Sequence, residues 1–218
     1  MPSEPAAPWQ HARQFYNRIS RSYDLLSDAS EHAARERGLA GLAVAPGQRV
    51  LEAGFGTGHA LEALAAMVGP GGRVVGVDVS DGMVDLARER LARARTAPRV
   101  SLALADVRHL PCPDATFDAA FMSFTLELID PCEIPAVLAE VARVLRPHGR
   151  LGVVSLSARE HPNAMTRIYQ WLHRHFPHFI DCQPIEARRF LEDAGFRLTE
   201  ATDLSIWGLP VFVGVGVR

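Results

Sequence analysis

The sequence predicts a doubly wound α/β fold: a seven-stranded sheet, mostly parallel with an antiparallel last strand, helices on both faces and an N-terminal helical cap. Three observations carry this. Short apolar runs alternate with helically spaced stretches between residues 49 and 156. The last two strand-like runs, 196–202 and 207–217, leave no room for the crossover of about a dozen residues that a parallel pair needs, so the final strand should run antiparallel. Ahead of the first strand, residues 9–43 carry Trp9, Phe15, Ile19, Leu25 and Leu26 at roughly helical spacing.

The elements follow in order. Residues 1–8 (MPSEPAAP) read as a disordered leader, and 9–218 as one domain. Ser27, Asp28 and Ser30 offer caps for a helix running to about Ala43, which Pro46-Gly47 ends. Residues 49–53 form a buried strand running into glycines, 57–68 a helix, and Gly69-Pro70-Gly71-Gly72 a turn. Strand 74–77, helix 81–95 and strand 100–104 come next. A polar, Pro-containing loop, 105–116, leads to strand 117–122. Helix 133–146 is stopped by Pro147 and Gly149, and strand 151–156 follows. Residues 157–182 hold an Arg/His-rich helical insertion, and helix 184–194 is capped by Gly195.

Bulk properties narrow the function classes. The chain has 218 residues, a net charge of −2, 48% hydrophobic and 22% charged residues, ordinary values for a soluble domain with one sizeable core. No overall positive field gathers phosphates, which argues against a nucleic-acid partner. Cys112, Cys132 and Cys182 are odd in number and form no CxxC pair, so neither a disulfide framework nor a zinc site is expected, and a reducing, cytoplasmic compartment fits. No run reaches the 18 or so apolar residues of a membrane span, which leaves peripheral membrane contact open. A metal reading of His173, His175 and His178 is disfavoured by spacing unsuited to one helix face, and no metal is expected.

The chemistry lies at the strand ends. Gly54, Gly56 and Gly58 make a tight loop after the first strand that lets a ligand lie against the main chain. The spacing lacks the third glycine of GxGxxG, and Glu52 in front of it would repel a pyrophosphate, which speaks against a dehydrogenase using NAD. The same carboxylate favours a ligand carrying an ammonium and a sulfonium, as S-adenosylmethionine does. Asp78 ends the second strand, where a carboxylate can accept both ribose hydroxyls, although it could also cap the next helix. Asp106 follows the third strand and could accept from an adenine amino group, with Val107 donating from its backbone. Three acids at successive strand ends occupy the edge where open α/β sheets bind ligands.

Residues 50–58 (VLEAGFGTG) resemble the first motif of class I S-adenosylmethionine-dependent methyltransferases, and 75–83 (VGVDVSDGM) their second. Ala105-Asp106-Val107, 110–118 and 140–150 resemble later motifs, in the family's order. The branch most similar is that of the ubiquinone/menaquinone-biosynthesis C-methyltransferases (methyltransferase type 11 domain), through Phe15-Tyr16, 22–27 and 123–127. Departures are Phe55 within the glycine motif, Cys112 where a Phe is common, and His148 where a Gly is common.

The resemblance implies a Rossmann-like fold and in-line transfer of the sulfonium methyl, with S-adenosylhomocysteine as product. It places Glu52, Gly54, Gly56 and Gly58 on the amino-acid end of the cofactor, and Asp78, Val79 and Met83 on ribose and adenine. Asp106 and Val107 fall on the adenine edge, and Ser123 beside the sulfonium. Met83 could equally be core. Tyr23, Glu127 and His161 are candidates for a base by position, Tyr16 a further one. Residues 9–43 and 157–182 are expected to form the acceptor side. The acceptor expected is a small or lipid-soluble molecule such as a quinone precursor. Alternatives are a phospholipid, another natural product methylated on N or O, or a non-catalytic S-adenosylmethionine-binding protein. A monomer or homodimer is expected.

Overall fold

The structure, a computed structural model, describes residues 28–158 and 183–218. Helix α1 (Asp28–Leu42) precedes β1 (Arg49–Ala53), α2 (His59–Val68), β2 (Arg73–Asp78), α3 (Asp81–Arg93) and β3 (Val100–Leu104). After a loop come β4 (Phe117–Ser123), a 3₁₀ turn at Leu126–Leu128, α4 (Ile134–Val144) and β5 (Leu145–Leu156). The chain closes with α5 (Ala187–Asp193), β6 (Arg197–Ile206) and β7 (Leu209–Val217). The helices expected over residues 9–27 and most of the expected insertion lie outside the described residues.

The seven strands stand in the order β3-β2-β1-β4-β5-β7-β6. β1 pairs parallel with β2 and β4, β2 with β3, and β4 with β5, whereas β7 is antiparallel to both of its neighbours. Seven strands, mostly parallel with the last antiparallel, are what the sequence predicts. β1 and β4 are adjacent although two strands separate them in the chain, so the loops leaving them diverge at the switch point where α/β sheets bind ligands.

Two apolar layers cover the sheet. One joins α1, α2 and α3 to residues such as Val50, Val74 and Phe121; the other joins α4 and α5 to Leu51, Ala120 and Val153. The alternating parity of strand side chains produces this division. α1 crosses the sheet at Gly38, where an added Cβ would lie 2.6 Å from Val154 Cγ2 and 3.1 Å from Phe121 Cε2. Alanine there should gain about 1 kcal/mol of helix propensity and lose about 1–3 kcal/mol to overpacking. The net expectation for Gly38→Ala is destabilisation, read as a lower midpoint in urea.

Element boundaries differ most from the sequence expectation at two places. β5 begins at Leu145 rather than 151, because Val144 ends the helix and the residue before Pro147 is pushed to extended backbone; Leu145 then pairs with Phe117 ahead of a register shift. The last hairpin turns at Trp207-Gly208, both with positive φ (49° and 81°), so β6 extends to Ile206 and Trp207 is turn rather than strand.

Candidate active site

Glu52, Asp78 and Ser123 stand at the carboxyl ends of β1, β2 and β4, with Asp106 just beyond β3. Glu52 pairs in register with Phe121, whose ring meets Gly38 of α1, so the Glu52 carboxylate lies on the α1 side of the sheet. It is 2% exposed, and among the described residues its Oε2 has no hydrogen-bond partner. Burial pushes its pKa well above the usual carboxylate range; the nearby Arg35 charge opposes this and the Asp78 charge adds to it. Arg35 itself is buried on α1.

The glycine loop wraps Asp78. Oδ2 of Asp78 accepts from the Gly56 N–H at 2.9 Å, and Oδ1 from the Ser80 N–H at 2.9 Å. Burial raises the Asp78 pKa to about 6, against the lowering effect of the N–H groups of Ser80, Gly56 and Val79. Ser80, not Asp78, caps α3, accepting from the Met83 N–H at 3.3 Å. Val79 is half-buried, and Met83, 3% exposed, packs in the layer between α2 and α3.

All three loop glycines have positive φ, 76° at Gly54, 52° at Gly56 and 86° at Gly58. Gly54 and Gly58 also lack space: a Cβ would come within 2.3 Å of Thr125 Cγ2 and 2.9 Å of Ala87 Cβ respectively. Thr125 follows β4, and its hydroxyl donates to the carbonyls of Gly54 and Ser123, each at 3.2 Å. The loop after β4 thus closes against the glycine loop. Thr125 lies in the 123–127 segment that carries the resemblance, but nothing in its spacing marks the contact with Gly54.

The Asp106 carboxylate is held by Arg108. Oδ1 accepts from the Arg108 backbone N–H at 2.9 Å, Nε lies 3.0 Å from both oxygens, and Nη2 is 2.6 Å from Oδ2. Nη1 of Arg108 reaches Glu133, ahead of α4. Burial acts to raise the Asp106 pKa, but the Arg108 guanidinium and N–H hold it below the usual range. Val107 is half-buried beside it.

Of the candidate bases, Tyr16, Tyr23 and His161 lie outside the described residues. Glu127 is described and is 1% exposed. Its Oε1 accepts from the Leu156 N–H at 2.9 Å, its Oε2 has no hydrogen-bond partner among the described residues, and its backbone carbonyl accepts from the Gln183 N–H at 2.9 Å. Burial lifts its pKa to about 7, against the lowering of the Leu156 N–H. Leu156 and Gln183 flank residues 159–182, so Glu127 sits at the root of that segment. Among the described residues no cluster of His, Cys, Asp and Glu could hold a metal, and no helix is long and apolar enough to cross a membrane.

A buried carboxylate oxygen without a partner, a second carboxylate wrapped by backbone N–H groups, and a crowded glycine turn suit a ligand that brings a cation, hydroxyl donors and a surface lying on the main chain. S-adenosylmethionine has all three. Residues 50–149 match the family described as Methyltransferase domain. A demethylmenaquinone methyltransferase of Symbiobacterium thermophilum is 33% identical over 153 residues, 68% of this chain and 60% of that protein. The chain therefore spans about three-fifths of that relative. The O-methyltransferase resE of Aspergillus sclerotiorum is 31% identical over 190 residues, 84% of this chain and 67% of that protein. Among solved structures, a SAM-dependent methyltransferase from Aquifex aeolicus superposes with a TM-score of 0.67 at 24% identity, covering 92% of this chain and 97% of that one, which supports the fold. Ordered motifs, strand order and relatives agree: the chain belongs to the S-adenosylmethionine-dependent methyltransferase family.

Proposed function

We propose that the chain transfers the methyl group of S-adenosylmethionine to a small, lipid-soluble aromatic acceptor of the quinone-precursor kind. The observation that carries the donor half is the unpartnered Glu52 oxygen, buried beside Asp78 at the mouth of the glycine loop. A buried carboxylate whose charge is offset only in part, by Arg35, is costly, and a bound ammonium and sulfonium lower that cost. The acceptor half rests on the likeness to the demethylmenaquinone enzyme.

When bound, the cofactor supplies an electrophilic methyl. The residues hold, orient and desolvate it. Glu52 and the backbone of Gly54, Gly56 and Gly58 take the amino-acid end. Asp78 accepts the ribose hydroxyls, with Val79 and Met83 shaping the adjoining wall. Asp106 and Val107 read the adenine edge. The Ser123 carbonyl, already fixed by Thr125, would accept from the ammonium. Glu127 is the base, drawing a proton from the acceptor as its carbon or oxygen becomes nucleophilic. A second reading, O-methylation of a natural product, is favoured by the likeness to resE. The test is transfer of labelled methyl to demethylated quinols, with phenols and phospholipids alongside. Tight S-adenosylmethionine binding without transfer to any of them would overturn the enzymatic reading in favour of a binding protein.

Cofactor affinity should fall in acid. In the free protein Asp78 protonates near pH 6. The hydroxyl donors and positive charge of the ligand favour the ionised carboxylate, so binding lowers this pKa. Affinity is therefore full above pH 6 and lost as pH drops through it. Asp78 alone predicts about a tenfold rise in Kd between pH 7 and pH 5. Calorimetric titration at both pH values checks this, and Asp78→Asn should flatten that part of the profile.

A further inference from the structure

We infer that Arg108 is a specificity-determining positioning residue: by clamping the Asp106 carboxylate between the end of β3 and the start of α4, it makes the site select a purine with a 6-amino group over one with a 6-oxo group. The inference rests on the S-adenosylmethionine reading above and says which residue enforces one part of it.

The geometry is specific. The guanidinium folds back two residues along the chain and grips both Asp106 oxygens, through Nε at 3.0 Å and Nη2 at 2.6 Å, while the Arg108 N–H holds Oδ1 at 2.9 Å. Nη1 spans to Glu133, which is tied in turn by its own N–H to the Asp130 carbonyl at 2.8 Å. An arginine in that fork cannot swing without losing bonds at both ends. Behind it the loop is anchored to α4 again, where the Leu110 N–H donates to Glu140 at 2.9 Å and Arg143 donates to the carbonyls of Leu110 and Cys112. At its front, the Ala105 N–H donates to the Asp78 carbonyl at 2.9 Å. Asp106 is thus fixed from both sides.

A carboxylate has about four acceptor positions. With Nε shared between the oxygens, capacity for one more donor remains, and the arginine keeps the group ionised and purely accepting. Two residues upstream, Leu104 is 50% exposed, one of two large apolar side chains so exposed among the described residues, and it pairs in register with Asp78. A flat ring lying on Leu104 beyond a ribose at Asp78 brings its edge to Asp106. An amino group there donates to the clamped carboxylate. A 6-oxo group meets it acceptor to acceptor and is rejected. Without Arg108 the carboxylate can turn away or take up a proton, and the rejection fades.

The test compares calorimetric affinities for S-adenosylhomocysteine and S-inosylhomocysteine. Wild type should prefer the adenine ligand. Arg108→Ala should weaken that ligand by about tenfold and leave the inosine ligand within about twofold, so that the preference collapses. Arg108→Lys keeps the charge without the fork and should lose most of the preference while preserving the thermal midpoint. Glu133→Gln, which frees the far end of the clamp, should move the ratio the same way by less. Equal weakening of both ligands, or an unchanged ratio in both Arg108 variants, overturns the inference. Wild type binding neither ligand overturns the cofactor reading on which it stands.

Discussion

Replacing Gly54 by alanine should cut S-adenosylmethionine affinity by about 100-fold or more, with the rest of the sheet intact. Two costs combine. The residue sits at φ 76°, a left-handed conformation that costs an L side chain about 1–2 kcal/mol. Its Cβ would also lie 2.3 Å from Thr125 Cγ2 and 2.5 Å from Oγ1. Thr125 is short and tied by its hydroxyl to the Gly54 carbonyl, so it cannot step aside without opening the contact between the β1 and β4 loops. Overpacking of this kind costs about 1–3 kcal/mol. Gly56 provides the control. Its φ is also positive, but no atom of the described residues lies within 4 Å of its Cβ, so Gly56→Ala should cost the loop about 1 kcal/mol of backbone strain with no crowding by Thr125. Calorimetry on both variants, with Thr125→Gly added to Gly54→Ala, separates crowding from strain. A rescue in the double variant is expected. Equal losses at Gly54 and Gly56 would refute the crowding.

Glu127→Gln should lower kcat by about 100-fold or more, the range of general base catalysis, with S-adenosylmethionine affinity within about twofold. Glutamine preserves the carbonyl oxygen that accepts from the Leu156 N–H, so the root of the 159–182 segment stays joined. What disappears is the ability to take a proton. In wild type, burial sets that titration near pH 7, so the rate should climb through pH 7 and level above it. The glutamine variant should lack this limb. Unchanged kcat and pH profile in a folded Glu127→Gln protein would reduce Glu127 to a structural tie.

The parts of this molecule that follow a period were legible in its sequence. β1 to β4 read as short apolar runs, and their parallel register sets Glu52, Asp78 and the loop start at Asp106 along one edge without knowledge of any contact. The antiparallel β7 followed from chain length alone. Boundaries failed where one residue overrode the pattern: Pro147 drew the chain into β5 early, and Trp207 took a turn position usually given to Asn or Gly. Side-chain partnerships in loops stayed hidden. Arg108 folding back on Asp106, Thr125 reaching Gly54 and Arg35 approaching Glu52 across a helix–sheet interface depend on directions that no spacing encodes.

The junction at residues 158 and 183 has a consequence for how this chain could diversify. The Ala158 N–H donates to the Ile185 carbonyl and the Ile185 N–H to the Leu156 carbonyl, at 2.9 and 3.1 Å, so the two ends of the intervening stretch meet inside completed main-chain pairing. The scaffold itself brings these two ends together, and for a flexible connection between fixed ends each doubling of length adds only about 0.6 kcal/mol. The position behaves as a cassette slot. Segments of different length and composition can be exchanged there while the strand ends that carry Glu52, Asp78 and Asp106 stay as they are.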